Sequence, residues 1–366
     1  MTDERLGAAG DGTDAVRTVH LDLAGGYDVS IGPGLLGRLG DIARAALPGN
    51  RVLVVSDDVV VPLYLSRARA SLESVGFSVA DYVFPHGEQH KNLTTLSDLL
   101  EYCASSSLTR SDSIVALGGG VTGDLAGFAA SVFMRGIRFM QVPTTLLAAT
   151  DAAIGGKTGV DLVAGKNLVG TFCQPAAVVC DTDCLDTLPP ERLHEGMAEV
   201  LKYGVLRDPE LFEALPRSGR ADRARVIERC VRHKRHYVEL DEREGDARRY
   251  LNLGHTVGHA VELCSGYTVP HGYAVAMGMV CVARSCEADG TAAEGVAHRI
   301  ERACEALGLP TECPYGAHEL ARAAASDKKR AGDLICVVRI RDVGSCCLDM
   351  MKLSDLEGFI ARGLED

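Results

Sequence analysis

The sequence lacks several features that would place it in a class at once. No apolar run approaches the roughly 20 residues of a membrane-spanning helix; AVAMGMVCVA, residues 274–283, is about half that length. There is no excess of positive charge: 38 Lys and Arg stand against 50 Asp and Glu, a formal net charge of −12. That balance argues against nucleic acid or an anionic membrane as partner, and still allows a phosphorylated small molecule held by a few clustered lysines. The N-terminus, MTDERLGAAGDGTDA, lacks the basic-then-apolar pattern of a signal peptide and reads as a disordered tail over residues 1–16. No C-x-x-C pair occurs among the 13 cysteines, an odd number scattered along the chain. They read as reduced, small core residues of a cytoplasmic protein rather than as a disulfide framework.

What is present reads as two regions, and 366 residues suffice for two domains with separate cores. TVHLDL and YDVSIG, joined through AGG, predict an opening hairpin. The runs RVLVVSDD, FSVADYVFP, SIVALGGG and IRFMQVP then alternate with the helical stretches LYLSRARASLESVG and LTTLSDLLEYCASSS. Such alternation predicts a mainly parallel sheet with helices on both faces. From about residue 187, near the two prolines of TLPPER, the segments PPERLHEGMAEVLKYGVL, ELFEALPRSGRADRARVIERCVRHKRHYVELDE, GHTVGHAVELC and AEGVAHRIERACEALG all read as helices.

Four stretches carry chemistry. Gly118-x-Gly120-x-x-Gly123 follows a strand and opens a helix, the context in which glycines let backbone approach a pyrophosphate at a helix N-terminus. It lies far into the chain, unlike the first turn of the usual dinucleotide fold, so a different α/β architecture is expected. Gly155-Gly156-Lys157-Thr158 looks like the end of a phosphate loop, but Asp151 stands where that motif needs glycine, which disfavours a Walker ATPase. Lys166 and Asn167 follow in a Gly-flanked, loop-like context, and with Asp151 and Lys157 they suggest a lined polar pocket. In GMAEVLKYG, Glu199 and Lys202 sit at i, i+3 on a helix made apolar nearly all round by Met197, Ala198, Val200 and Leu201, so the pair should be buried. A buried carboxylate calls for a metal or a cation.

The fourth stretch, LNLGHTVGHAVE, places His255 and His259 one turn apart on a helix, with His271 following in HGY. One carboxylate plus two histidines makes a three-ligand zinc site of the open, catalytic type, and Glu199, His255, His259 and His271 are the candidates. Thr256 occupies the general-base position of H-E-x-x-H, which makes a metalloprotease unlike this pattern.

Taken in order, GGGVTGDLAGFAAS, the MRG of FMRGIRF, QVPTTLLAATDAAIGGKTGVDLVAGKNLVGTF, AEVLKYG, DEREG, LNLGHTVGHAVE and SDKKRAG resemble the 3-dehydroquinate synthase family of sugar-phosphate cyclases, over about residues 17 to 360. The resemblance implies an α/β N-terminal nucleotide-binding domain, residues 17–187, and an all-α C-terminal metal-binding domain, residues 188–366, with the site between them in a homodimer. It implies zinc, or cobalt, on Glu199, His255 and His271, with His259 on the substrate side. Lys157, Lys202, Lys234, Arg248 and Asn252 would contact substrate, Asp151 and Asn167 would complete the pocket, and Lys328 or Lys329 would add charge near the phosphate. Arg135 would reach the partner subunit's site. For NAD, the matching positions are Asp57, Glu88, Lys91, Gly119, Gly120, Val121, Asp124, Thr144, Thr145, Lys157, Lys166 and Thr187.

The family reaction converts 3-deoxy-D-arabino-heptulosonate 7-phosphate to 3-dehydroquinate and phosphate, by transient oxidation with NAD, phosphate elimination, reduction and intramolecular aldol closure. Two departures stand out. Tyr273 replaces a glutamate usual two residues after the third ligand, and the acidic N-terminal extension is additional. Either feature would suit a branch acting on an amino analogue or another sugar phosphate. A polyol dehydrogenase on the same scaffold is the further alternative, though a neutral polyol needs no phosphate clamp.

Overall fold

The computed structural model describes residues 15–325 and 332–365. Residues 1–14 of the expected tail lie outside them, as do Lys328 and Lys329. The opening hairpin forms as expected: β1 (Arg17–Leu21) and β2 (Tyr27–Gly32) pair antiparallel, with Gly25 and Gly26 at positive φ in the turn. Then follow α1 (Leu39–Ala46), β3 (Arg51–Asp57), α2 (Ser66–Ser74), β4 (Ser78–Phe84), α3 (Leu93–Ser105), β5 (Ser113–Gly118), α4 (Gly120–Val132) and β6 (Arg138–Pro143). Asn92 starts α3 by accepting the Thr95 N–H at 3.0 Å, one of the orphan donors of a helix N-terminus.

The seven-stranded sheet runs β1-β2-β9-β6-β5-β3-β4, where β9 is Val178–Asp181. All its pairings except β1 with β2 are parallel. Alternate residues of the central strands feed two cores. Val52, Val54 and Val115 face α1 and α2, while Leu53, Val55, Ile114 and Ala116 face α3 and α4. Strand β5 is buried at every position, as a parallel strand covered on both faces must be. From β3 the chain winds outward to β4, then returns to start β5 on the other side of β3, from which β6 and β9 continue. The order therefore reverses between β3 and β5, and a crevice opens at their carboxyl ends.

The GGKT segment is not a phosphate loop leading into a helix. Lys157 begins a strand, and β7 (Lys157–Leu162) pairs antiparallel with β8 (Gly165–Phe172), so Lys166 and Asn167 lie at the start of a strand where a loop was expected. The glycines that suggested a loop serve close backbone pairing: a Cβ on Gly170 would fall 2.0 Å from the Thr158 carbonyl oxygen.

The C-terminal part comprises α5 (Pro190–Arg207), α6 (Pro209–Ala214), α7 (Arg223–Leu240), α8 (His255–Cys264), α9 (His271–Ala288), α10 (Val296–Ala306), α11 (Ala317–Ala325) and α12 (Leu353–Leu364). It is helical but not all-α, because β10 (Leu334–Asp342) and β11 (Ser345–Lys352) form an antiparallel hairpin before α12. The Val- and Ile-rich run with alternating burial, followed by Gly344 at φ 87°, is a strand-and-turn signal. Helix α9 is buried over nearly its whole length, and the helical core continues onto Val19, Leu21, Val29 and Ile31 of β1 and β2. Among the described residues, no helix is long and apolar enough to cross a membrane.

Candidate active site

Three helix segments converge on one point because glycines let them. Gly272, next to His271, lies against α5: a Cβ there would sit 2.0 Å from the Glu195 carbonyl oxygen, one turn before Glu199. Gly278 of α9 meets Gly254 and Gly258 of α8 equally closely, a Cβ on Gly278 falling 2.0 Å from the Gly254 oxygen. These contacts place His255 and His271, each the first residue of its helix, with ring centroids 5.2 Å apart above Glu199.

Glu199 is 1 % exposed, and its Oε1 has no hydrogen-bond donor in acceptable geometry. The Nε2 atoms of His255 and His271 lie 3.5 and 3.4 Å from that oxygen. One donor atom from each of the three residues falls within 4.8 Å of the others. The Nδ1 of His255 is 2.9 Å from the Leu253 carbonyl, and that of His271 is 3.1 Å from Glu262 Oε2. With Nδ1–H committed there, each ring turns Nε2 toward the orphaned carboxylate oxygen, where a bound metal would take both lone pairs. An orphaned buried oxygen and two imidazole lone pairs facing each other are what a divalent metal needs. The donor set fits one.

The two histidines differ electrostatically. Burial and the nearby Lys202 ammonium push His255 down to about 4, and the Glu199 carboxylate offsets this only in part. Burial also works against a charged His271, but the two carboxylates facing it, Glu199 and Glu262, outweigh it and raise the ring to about 10, so a metal would displace the Nε2 proton. His259 sits one turn along α8, its ring 5.3 Å from that of His255 and 6.0 Å from that of His271. It belongs to a second potential donor group with Glu262 and His271, not to the Glu199 group.

Beside these three candidate donors lies a nest of largely buried charge. Lys202 Nζ ion-pairs with Glu199, as the sequence predicted, and lies 3.9 Å from Asp151. Lys234 Nζ meets Asp151 Oδ1 at 3.0 Å and donates to its carbonyl at 2.6 Å, while Tyr203 donates to Oδ1 at 2.8 Å. Burial alone would raise the Asp151 carboxyl, but Lys234 and Lys202 hold it well below the usual range. Lys234 itself is pushed down to about 8, chiefly by burial, with Arg248 and Lys202 adding repulsion that Asp151 partly offsets.

Arg248 is tucked under the GGK turn, donating to the Glu242 and Gly155 carbonyls at 2.6 and 3.0 Å. Lys157 ion-pairs with Glu244, whose other oxygen accepts from Asn252 at 2.8 Å. A cavity of about 220 Å³ opens here, lined by Arg243, Glu244, Arg249, Asn252, His255 and His259, with Ile335 and Cys336 from the hairpin.

Most residues matched to NAD gather at the carboxyl ends of the parallel strands. Asp57 ends β3, accepting from the Val59 and Val60 N–H groups and, at 3.3 Å, from Thr122. Gly119 and Gly120 turn β5 into α4, whose N-terminus has no side-chain cap, so its orphan N–H groups face the crevice mouth. Thr144 and Thr145 follow β6, and Thr187 lies beyond β9, hydrogen-bonded to Tyr64. After β4, Lys91 is buried among Glu88 (2.8 Å), Asn167 (2.9 Å), Asp124 (3.4 Å) and Asp161 (3.8 Å). Burial raises Asp124 to about 6, with Lys91 opposing. Glycine backbone at an uncapped helix N-terminus over a topological switch point suits a dinucleotide. Arg135, by contrast, is exposed at the end of α4 and enters no part of this site.

Known proteins match this arrangement. Residues 81–195 fit the 3-dehydroquinate synthase N-terminal family and residues 196–330 its C-terminal family. The chain belongs to the 3-dehydroquinate synthase family. A 3-dehydroquinate synthase of Streptococcus pneumoniae (strain ATCC 700669 / Spain 23F-1) is 42% identical over 344 residues, 92% of this chain and 97% of that one. Among solved structures, 2-deoxy-scyllo-inosose synthase complexed with carbaglucose-6-phosphate, NAD+ and Co2+ aligns with a TM-score of 0.85 at 26% identity, covering 95% and 100% of the two chains. The 2-epi-5-epi-valiolone synthase of Streptomyces hygroscopicus, with NAD+ and Zn2+ bound, aligns at 0.83 and 27%, covering 92% and 96%. A probable glycerol dehydrogenase of Sinorhizobium meliloti, at 0.59 and 17%, shares the fold.

Within this 3-dehydroquinate synthase fold, several residues did not stand out from spacing. Glu244 bridges Lys157 and Asn252; the DEREG motif contained it without marking it. Tyr203 anchors Asp151, and Glu262 takes the Nδ1–H of His271. That last contact answers the Tyr273 departure: Tyr273 packs half-buried against the helical core, and the carboxylate orienting His271 comes from α8.

Proposed function

We propose that this chain converts 3-deoxy-D-arabino-heptulosonate 7-phosphate to 3-dehydroquinate and phosphate, using NAD and a divalent metal, zinc or cobalt. The observation that carries the reading is the convergence of Glu199, His255 and His271 beside three buried cations, Lys202, Lys234 and Arg248, with Lys157 exposed next to them. A neutral polyol needs no such phosphate clamp. Identity of 42% to a 3-dehydroquinate synthase, against 26 and 27% to the inosose and valiolone cyclases, favours the dehydroquinate reaction.

Glu199, His255 and His271 would hold the metal, which supplies Lewis acidity toward a substrate hydroxyl. The crevice from Asp57 to Thr187, with Lys91 and Asp124, would hold NAD, which supplies a hydride acceptor that is restored within each turnover. The protein's own residues do the rest. Lys157 and Asn252 would exchange Glu244 for the substrate's anionic and hydroxyl groups. Lys202 and Lys234, fixed by Asp151 and Tyr203, would orient the hydroxyls, and Arg248 would hold the turn that carries Lys157. Asn167 would complete the pocket, His259 would face the substrate, and Lys328 or Lys329 would reach the phosphate. Arg135 would complete the site of a second subunit in a homodimer, a role its exposure supports. Thirteen unbonded cysteines support a reducing, cytoplasmic setting.

The test is phosphate release from the heptulosonate phosphate with NAD far below substrate. Phosphate in excess of NAD, with no net NADH and a carbocycle of dehydroquinate mass, is expected. Stoichiometric NADH would overturn the reading in favour of a dehydrogenase. Turnover of a different sugar phosphate only would favour a cyclase of another branch.

A further inference from the structure

We infer that Glu262 is the positioning residue that sets the metal affinity of the site, by fixing His271 in the tautomer that presents Nε2. This rests on the metal reading above and adds a residue to it. Glu262 is 4 % exposed, deep for a carboxylate in the last turn of α8. Its two oxygens have separate partners: Oε2 takes the Nδ1–H of His271 at 3.1 Å, and Oε1 takes the Lys166 ammonium at 2.9 Å.

A second arrangement of the same atoms would make Glu262 a ligand with His259 and His271. The geometry opposes it. His271 would then have to bind through Nδ1, and its Nε2, 3.4 Å from the orphaned Glu199 oxygen, would carry a proton instead of a lone pair. A cation beside Glu262 would also face the Lys166 ammonium already paired there. With Nδ1–H donated to Glu262, both histidines use Nε2, both point at Glu199, and the Lys166 charge stays on the far side of Glu262 from the metal. A carboxylate behind a histidine ligand fixes ring orientation and raises ligand basicity, and its loss typically lowers metal affinity about 10–100-fold.

Lys166 gives the arrangement a second consequence. It stands at the start of β8, also 4.0 Å from Glu88 on the nucleotide side, so one lysine ties the hairpin to the carboxylate that holds a metal ligand.

The test uses metal-free full-length protein titrated with Co2+ against a chelator, without substrate or NAD. Glu262→Ala should weaken binding about 10–100-fold, whereas Glu262→Gln, whose amide oxygen still accepts the Nδ1–H, should recover part of that loss. The visible absorption bands of bound Co2+ should keep their positions in Glu262→Gln, since the ligand set is unchanged. Affinity in Glu262→Ala equal to that of the unsubstituted protein would overturn the inference. So would shifted Co2+ bands in Glu262→Gln, which would make Glu262 a ligand. His255→Ala reports separately on the underlying reading: if it still binds Co2+ with full affinity, the metal assignment itself fails.

Discussion

The sharpest perturbation of this site lies outside the ligands. Gly272→Ala adds one methyl group at the second residue of α9, where the Cβ would meet the Glu195 oxygen at 2.0 Å, its carbon at 2.7 Å and its Cα at 2.9 Å. All three are backbone atoms of α5, so no side chain can swing away. To reach an ordinary contact of about 3.4 Å, the start of α9 has to retreat by about 1.4 Å. Metal-ligand distances hold to within about 0.2 Å, so a shift of that size removes His271 from the Glu199 group. Overpacking costs about 1–3 kcal/mol, offset by up to about 1 kcal/mol of helix propensity gained by alanine over glycine. The expected outcome is therefore a small loss of folding stability with a large loss of metal binding. Urea unfolding and Co2+ titration of the same sample measure both. Gly219→Ala is the control: nothing lies within 4 Å of its Cβ position, and it should change neither quantity. Unaltered metal affinity in Gly272→Ala would refute the claim that glycine contacts between helices set the ligand geometry.

Three further outcomes follow from particular contacts. His255→Ala should lose the metal, whereas His259→Ala should retain it and turn over more slowly; equal metal loss in both, by elemental analysis, would overturn the division between them. Tyr203→Phe removes the hydroxyl that donates to the half-buried Asp151 carboxylate at 2.8 Å, and should cost about 1.5–3 kcal/mol in urea unfolding. Lys234, lowered to about 8, should give kcat/KM an alkaline limb near that pH, and Lys234→Arg should shift the limb upward while lowering the rate. A limb that stays near pH 8 in the arginine variant would assign it to another group. The sign for stability is the reverse of a salt bridge's. Between pH 8 and 10.5 the unfolded chain binds the proton that folded Lys234 has lost, so stability rises with pH across that window.

How much of this was legible in the sequence depended on whether a feature is local. Strand β5 announced itself as a short, wholly apolar run, and α2 and α3 through helical periodicity, because both signals are complete within a few residues. The hairpin β7–β8 did not: its glycines signal a loop, and only the backbone facing Gly159 and Gly170 shows that they permit strand pairing. The i, i+4 histidines of α8 invited a joint metal site, since spacing shows which residues share a helix face and not where their nitrogens point. What separates His255 from His259 is a carboxylate more than fifty residues earlier in the chain and the first residue of the next helix. Glu262 was hidden for the complementary reason. At the end of an amphipathic helix a glutamate is ordinary surface charge by default, and it becomes functional only because Lys166 and His271 close over it from two other elements. The local pattern supplies the donors; the glycine contacts between α5, α8 and α9 decide which of their lone pairs meet.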